Sequence, residues 1–157
     1  MSLEKASAHL SRWGRDKDIL LLEASTATVP QAAEALGVEP ARIAKSISLR
    51  CGDKIIVLVT AGDCKIDNAR YKAQFGAKAK MLSPEEALEH TGHAVGGVCP
   101  FGLPQDVEVY LDSSMRRFNT VFPACGTANS AIRLTCEELD SYSLCSDWVD
   151  VCKSFQA

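Results

Sequence analysis

The hydrophobic positions divide the chain into short periodic segments separated by turn residues. Leu3, Ala6, Leu10 and Trp13 recur at three- and four-residue spacing, which predicts an amphipathic helix stopped by Gly14. Residues 19–22 form a short apolar run with strand character, followed by a polar turn from Ser25 to Thr28. Thr28 and Gln31 have the spacing of a capping box and predict a helix through Leu36, with Gly37 past its end. Pro40 opens a further helical turn carrying Ile43. Residues 45–49 alternate polar and apolar, and residues 51–54 make a turn into the apolar run 55–59. This pattern predicts a β-hairpin whose second strand is central.

Asp67 is placed to cap a helix to Phe75, with Gly76 after it, and residues 79–81 read as a strand. Ser83, Pro84 and Glu86 combine a capping box with proline at the first helical position, predicting a helix to about Thr91. Val107, Val109 and Leu111 alternate with Glu108 and Tyr110, predicting a strand with one buried face. Residues 120–122 and 131–134 are further strand candidates, separated by a small-residue turn at residues 125–129. Thr135 and Glu138 form a third capping box, with a helix to about Leu139. Hairpins mixed with strand-helix units favour an α+β fold: a single domain over residues 1–157, with a mixed curved sheet flanked by helices rather than a doubly wound one.

Residues 92–106 break every periodicity. Four glycines and two prolines in this span exclude a helix or a central strand. The stretch is therefore a shaped loop. Gly96 and Gly97 lack Cβ atoms, so their amides can approach a ligand, while Pro100 and Pro104 stiffen the exit. Such a loop suits backbone recognition of a carbonyl or phosphate oxygen. It matches neither the P-loop nor the G-x-G-x-x-G pattern, so nucleotide cradling is poorly supported.

Composition narrows the function classes. The net charge of −3 argues against a protein that grips DNA or other nucleic acid by bulk electrostatics, although a local basic patch is compatible with it. The apolar runs are too short to span a bilayer, and the N-terminal residues lack a signal-peptide pattern. A cytoplasmic protein without a membrane partner is expected. Seven cysteines, none in a C-x-x-C pair, point to reduced thiols acting as small hydrophobes rather than to a zinc knuckle or redox pair.

The ordered set Ile43-Ala44-Lys45-Ser46, Ala61-Gly62-Asp63, residues 96–102, Val109-Tyr110-Leu111-Asp112 and Ala124-Cys125-Gly126-Thr127 resembles the YbaK/EbsC family. That family comprises free-standing aminoacyl-tRNA deacylases related to the editing domain of bacterial prolyl-tRNA synthetases. The resemblance runs from about Ala24 to Leu139. It implies a curved mixed sheet and hydrolysis of the ester joining a wrong amino acid to a tRNA 3′ end, with no metal and no cofactor. By position, Lys45 is the functional lysine, and the backbone near Gly97 and Val98 supplies donors to the developing oxyanion. Ser25, Thr26, Gly96, Cys99, Pro100, Gly102, Gly126, Thr127 and Asn129 are the implied substrate-binding residues. Cys99 stands where the family usually has serine. The implied partners are the mischarged tRNA end, bound weakly given the acidic pI, and an aminoacyl-tRNA synthetase. The implied acceptor is of the prolyl type, carrying a wrong small amino acid.

Local readings stand beside these. Lys45 alone reads as a solvated lysine, Gly62-Asp63 as a plain turn, and Asp112 as a cap for the next turn. His93 reads as a solvent-facing loop histidine, and His9 and His90 lie on predicted helices without an evident acid partner. Two other functions compete with hydrolytic editing. One is a non-catalytic module of the same fold that binds a tRNA end, an amino acid or a protein. The other is a thiol hydrolase using Cys99, which requires a lowered thiol pKa.

Overall fold

The computed structural model describes residues 2–154. Its main element is a six-stranded mixed sheet curled into a half-barrel, in the order β8-β6-β2-β3-β5-β9. These strands are β2 (Ile43–Cys51), β3 (Lys54–Ala61), β5 (Glu108–Asp112), β6 (Thr120–Pro123), β8 (Leu134–Thr135) and β9 (Asp147–Val149). The hairpin β2-β3 runs antiparallel from Ala44↔Ala61 to Cys51↔Lys54. β5 adds in parallel to β3, and β6 in parallel to β2. Two further pairs, β1 (Leu20–Leu21) with β7 (Ser130–Ala131) and β4 (Cys64–Ile66) with β10 (Cys152–Ser154), lie outside this sheet.

Among the described residues the α-helices are α1 (Ser2–Leu10), α2 (Val29–Leu36), α3 (Asn68–Phe75), α4 (Pro84–Thr91) and α5 (Cys136–Ser143). Capping chemistry sets their starts. Thr28, Ser83 and Thr135 each accept from the backbone three residues on, while Gln31, Glu86 and Glu138 reach back to complete the box. From Ile56 onward β3 is buried on both faces, with Leu111, Leu134 and Leu139 also fully buried in the main core. A smaller cluster joins Ala32 and Ala33 of α2 to Ile43 and Phe122.

Three segments differ from the sequence expectation. Residues 79–81 make one bridge, Met81 to Leu49, instead of a strand. Residues 131–134 split into β7 and β8, because the chain changes partner from β1 to β6 across Ile132 and Arg133. Ile43 opens β2 instead of closing the Pro40 turn. β9 and β10 were not expected at all. Each has three residues, too few to show a period.

The buried Asp112 carboxylate secures this last part of the chain. One oxygen accepts from Ser114 N–H (3.0 Å), capping the short helical turn there, and the other accepts from Val151 N–H (2.9 Å) between β9 and β10. The capping reading of Asp112 is thus the observed one. Asp112→Ala strands both amides, and a buried unsatisfied donor costs about 1–3 kcal/mol. The variant is expected to lose at least that much unfolding free energy in urea titration.

Candidate active site

A cavity of about 270 Å³ opens against the edge of β2. β2 pairs with β6 only at Ile43 and Ala44. Further along the same strand, Leu82 N–H donates to Ser48 O (3.1 Å) and Arg50 N–H to Lys80 O (2.8 Å). Lys45, Ser46 and Ile47 lie between these attachments, and all three line the cavity. One wall comes from the Thr26 to Val29 turn entering α2, another from Val95, Gly96 and Val98 of the glycine loop. The small apolar cluster of Ala32, Ile43 and Phe122 closes one end.

Lys45 is the only charged side chain among the described lining residues. Its ammonium donates to Cys64 O at 2.7 Å. Burial lowers its pKa, and the Cys152, Cys64 and Asp63 side chains counter that shift. Asp63 is itself gripped by Arg117, with contacts of 3.0 and 2.6 Å. An ammonium carries three donors, so the bond to Cys64 positions the group without removing its charge. Two hydroxyls in the lining, Thr26 Oγ1 and Ser46 Oγ, are buried without a hydrogen-bond partner. An unpaired buried hydroxyl is costly.

The remaining sequence-derived residues do not line the cavity, and Gly126 and Thr127 border a separate groove beside α1. Gly97 N–H donates to Ala94 O (2.9 Å), so this amide is committed to the loop itself and is not an open oxyanion donor. A Cβ on Gly97 would lie 2.5 Å from Gly126 O, and one on Gly102 would lie 2.6 Å from Lys5 O. Gly97, Gly102 and Gly126 are thus packing glycines where backbones cross. Ser25 Oγ is engaged with Gln31 (3.2 Å), Thr127 Oγ1 with Ser130 (2.7 Å), and Asn129 Nδ2 with Leu22 O (3.3 Å). Pro100 is buried next to Cys99. The lining residues that sequence reasoning missed include Ser46, Ser48, Ala124 and Ser130.

His93 faces the interior, contrary to the solvent-facing reading. Its Nε2–H donates to Phe101 O (2.7 Å), and the ring is fully buried. Cys99 is fully buried beside it, 3.5 Å from the same nitrogen, and burial pushes its thiol up to about 12. Burial disfavours a thiolate there, and Cys99 is not among the residues lining the cavity. His9 is used at both nitrogens: Nδ1 accepts from Gly102 N–H (2.9 Å), and Nε2 donates to Tyr142 O (2.5 Å). Among the described residues, no group of three or more His, Cys, Asp or Glu side chains is placed to hold a metal ion. No helix there is long and apolar enough to cross a membrane.

With this geometry established, similarity to known proteins defines the class. Residues 23–142 match the model of the aminoacyl-tRNA editing domain, and the chain belongs to that family. An uncharacterized protein of Bacillus subtilis (strain 168), YwhH, is 56% identical over 99% of this chain and 100% of its own. The proline--tRNA ligase of Thermotoga sp. (strain RQ2) is 32% identical over 57% of this chain, which spans only 15% of that ligase. A crystal structure of a candidate trans-editing enzyme for prolyl tRNA synthetase superposes with a TM-score of 0.87. It is 28% identical, and the match covers 98% of both chains.

The two interior histidines make stability depend on pH. Burial, the largest cause, lowers both pKa values below 6.5. Their bonds to Tyr142 O and Phe101 O oppose the shift, and the Arg12 and Lys5 charges add to it. Below about pH 6.5 the unfolded chain takes up protons that the folded chain refuses, so stability is present above that pH and is lost as pH falls. The urea midpoint, followed by tryptophan fluorescence, is expected to drop between pH 7.5 and pH 5.5. A flat or rising midpoint contradicts this account.

Proposed function

We propose that the protein is a trans-editing deacylase that hydrolyses the ester of a mischarged tRNA, with a wrong small amino acid on a prolyl-type acceptor. The observation carrying this reading is a small cavity of about 270 Å³, largely apolar, whose one charged residue among the described lining is Lys45. Family membership and the likeness to a candidate trans-editing enzyme support it.

An aminoacyl ester is already activated, so the site has to orient it, admit a water and stabilise the negative oxygen of the tetrahedral intermediate. Water adds to the ester carbonyl, the ribose oxygen leaves with a proton, and a free amino acid and an intact tRNA end remain. Lys45 supplies the positive charge, either to the carbonyl oxygen or to the terminal phosphate. The Val98 segment of the loop faces the same space. Selection is by size. A volume of about 270 Å³ lies below the roughly 300–1,000 Å³ of sites for drug-sized ligands. Because one methylene is worth only ~1–3 kcal/mol to a synthetase pocket, a second, smaller pocket is the physical remedy for smaller intruders.

The test is release of labelled amino acid from a panel of mischarged tRNAs. Lys45→Ala is expected to lower kcat/KM by about 10²-fold, the scale of removing one oxyanion donor. Failure to deacylate any substrate, or equal rates for both proteins, rejects the proposal; tRNA-end binding without turnover instead identifies a non-catalytic module. Cys99→Ser is expected to leave the rate unchanged, because the thiol is sealed from the cavity. Loss of activity in a folded Cys99→Ser protein would restore the thiol mechanism.

A further inference from the structure

The strand that closes the cavity also leads away from it. Phe122 of β6 lines both the cavity and a surface groove that contains Arg15, Asp18, Thr120, Arg133 and Glu138. Thr120 and Arg133 then border a second groove of about 460 Å³, with Arg42, Arg117, Phe118 and Glu39. Thr120 and Phe122 are two residues apart, or about 7 Å at ~3.3 Å per residue. Arginines therefore cluster one short step from the reacting centre.

We propose that this arginine groove is the docking track for the RNA backbone of the acceptor stem, with Arg133 as its principal phosphate contact. The inference rests on the editing reading of the cavity and adds the face along which the substrate approaches. Arg133 is exposed, and its guanidinium makes no ion pair among the described residues. Arg42 lies over the Phe122 ring and donates to Thr120 O (3.3 Å) and Thr120 Oγ1, which holds its fork at the groove. Arg117 shares its charge with Asp63, and Arg15 with Asp18 and Glu138. Glu39 is the remaining acid at the groove. Arg133 and Arg42 thus make no ion pair with a carboxylate among the described residues. Arginine forks match phosphate geometry. In a chain of net charge −3, such a local cluster is where a polyanion is directed.

The test uses a fluorescently labelled acceptor-stem RNA hairpin with a single-stranded 3′ end, titrated at several salt concentrations. Each phosphate contact contributes about 0.7–0.9 to the slope of log affinity against log salt. Arg133→Ala is therefore expected to weaken binding about five- to eightfold at 0.1 M salt and to flatten the slope by that amount. Arg133→Lys should largely retain affinity, and the melting temperature should be unchanged in both. Unaltered affinity and slope in Arg133→Ala, or absence of hairpin binding to the wild type, overturns the proposal. Equal displacement of the hairpin by poly-glutamate also overturns it, marking the groove as a site for an acidic protein. Hydrolysis of a 3′-aminoacyl-adenosine, which cannot reach the groove, is expected to proceed equally in wild type and Arg133→Ala. If that short ester survives while hairpin binding still depends on Arg133, the deacylase reading fails and the docking track stands.

Discussion

The crossing of bare backbones beneath the glycine loop is the constraint on which the rest of the site depends. Gly97 lies against the Gly126 carbonyl, Gly126 against the Ser2 carbonyl and Gly102 against the Lys5 carbonyl. At each crossing a Cβ would have to displace main-chain atoms, which have nowhere to go in a close-packed interior. The glycines thus bring three chain segments close enough for Val95, Gly96 and Val98 to form one wall of the cavity. Their role is steric, and the loop amide that sequence reasoning assigned to an oxyanion at Gly97 is spent on Ala94.

The polar groups under the loop make the same arrangement rigid. Ser2 Oγ donates to Gly92 O (2.8 Å), and His9 accepts from Gly102 N–H while donating to Tyr142 O. α1 therefore clasps both ends of the loop, although it precedes the residues that match the editing-domain model. The clasp requires a neutral imidazole, since a protonated Nδ1 would meet the Gly102 N–H donor to donor. His93 is held neutral differently, by burial, with Nδ1 enclosed and unpartnered while Nε2–H donates to Phe101 O. Proton uptake at either ring opposes the packing that shapes the cavity, so loop geometry and histidine charge are one linked equilibrium.

Features governed by neighbours in sequence were legible before any coordinates. Thr28, Ser83 and Thr135 announce their helices because a capping box is complete within four residues. The β2-β3 hairpin was readable from its alternation and the Gly52-Asp53 turn. The end of α5 was not, because Leu144 takes the left-handed conformation (φ 55°) that usually falls to glycine. β9 and β10 exist through long-range pairing and the Asp112 carboxylate, and neither leaves a local period. At the site, family resemblance and loop composition singled out Lys45, Thr26, Gly96 and Val98, and these do share a cavity. Ser46 and Ser48 escaped because polar residues alternating with Lys45 and Ile47 look the same whether they face solvent or a cavity. His93 escaped because a polar residue in a glycine-rich loop gives no sign of burial imposed from α1.

The electrostatic economy of the cavity follows from its walls. Burial lowers the Lys45 pKa, and the Cys152, Cys64 and Asp63 side chains limit that shift, while the Cys64 carbonyl accepts from the ammonium. Asp63 is kept ionised and in place by Arg117, so the carboxylate stays beside the strand end instead of entering the cavity to neutralise the ammonium. Among the described lining residues there is no acid, so the cavity wall itself brings no negative charge beside Lys45. On the proposed reading, a cation at such a wall favours an anionic intermediate more strongly than the neutral ester that precedes it.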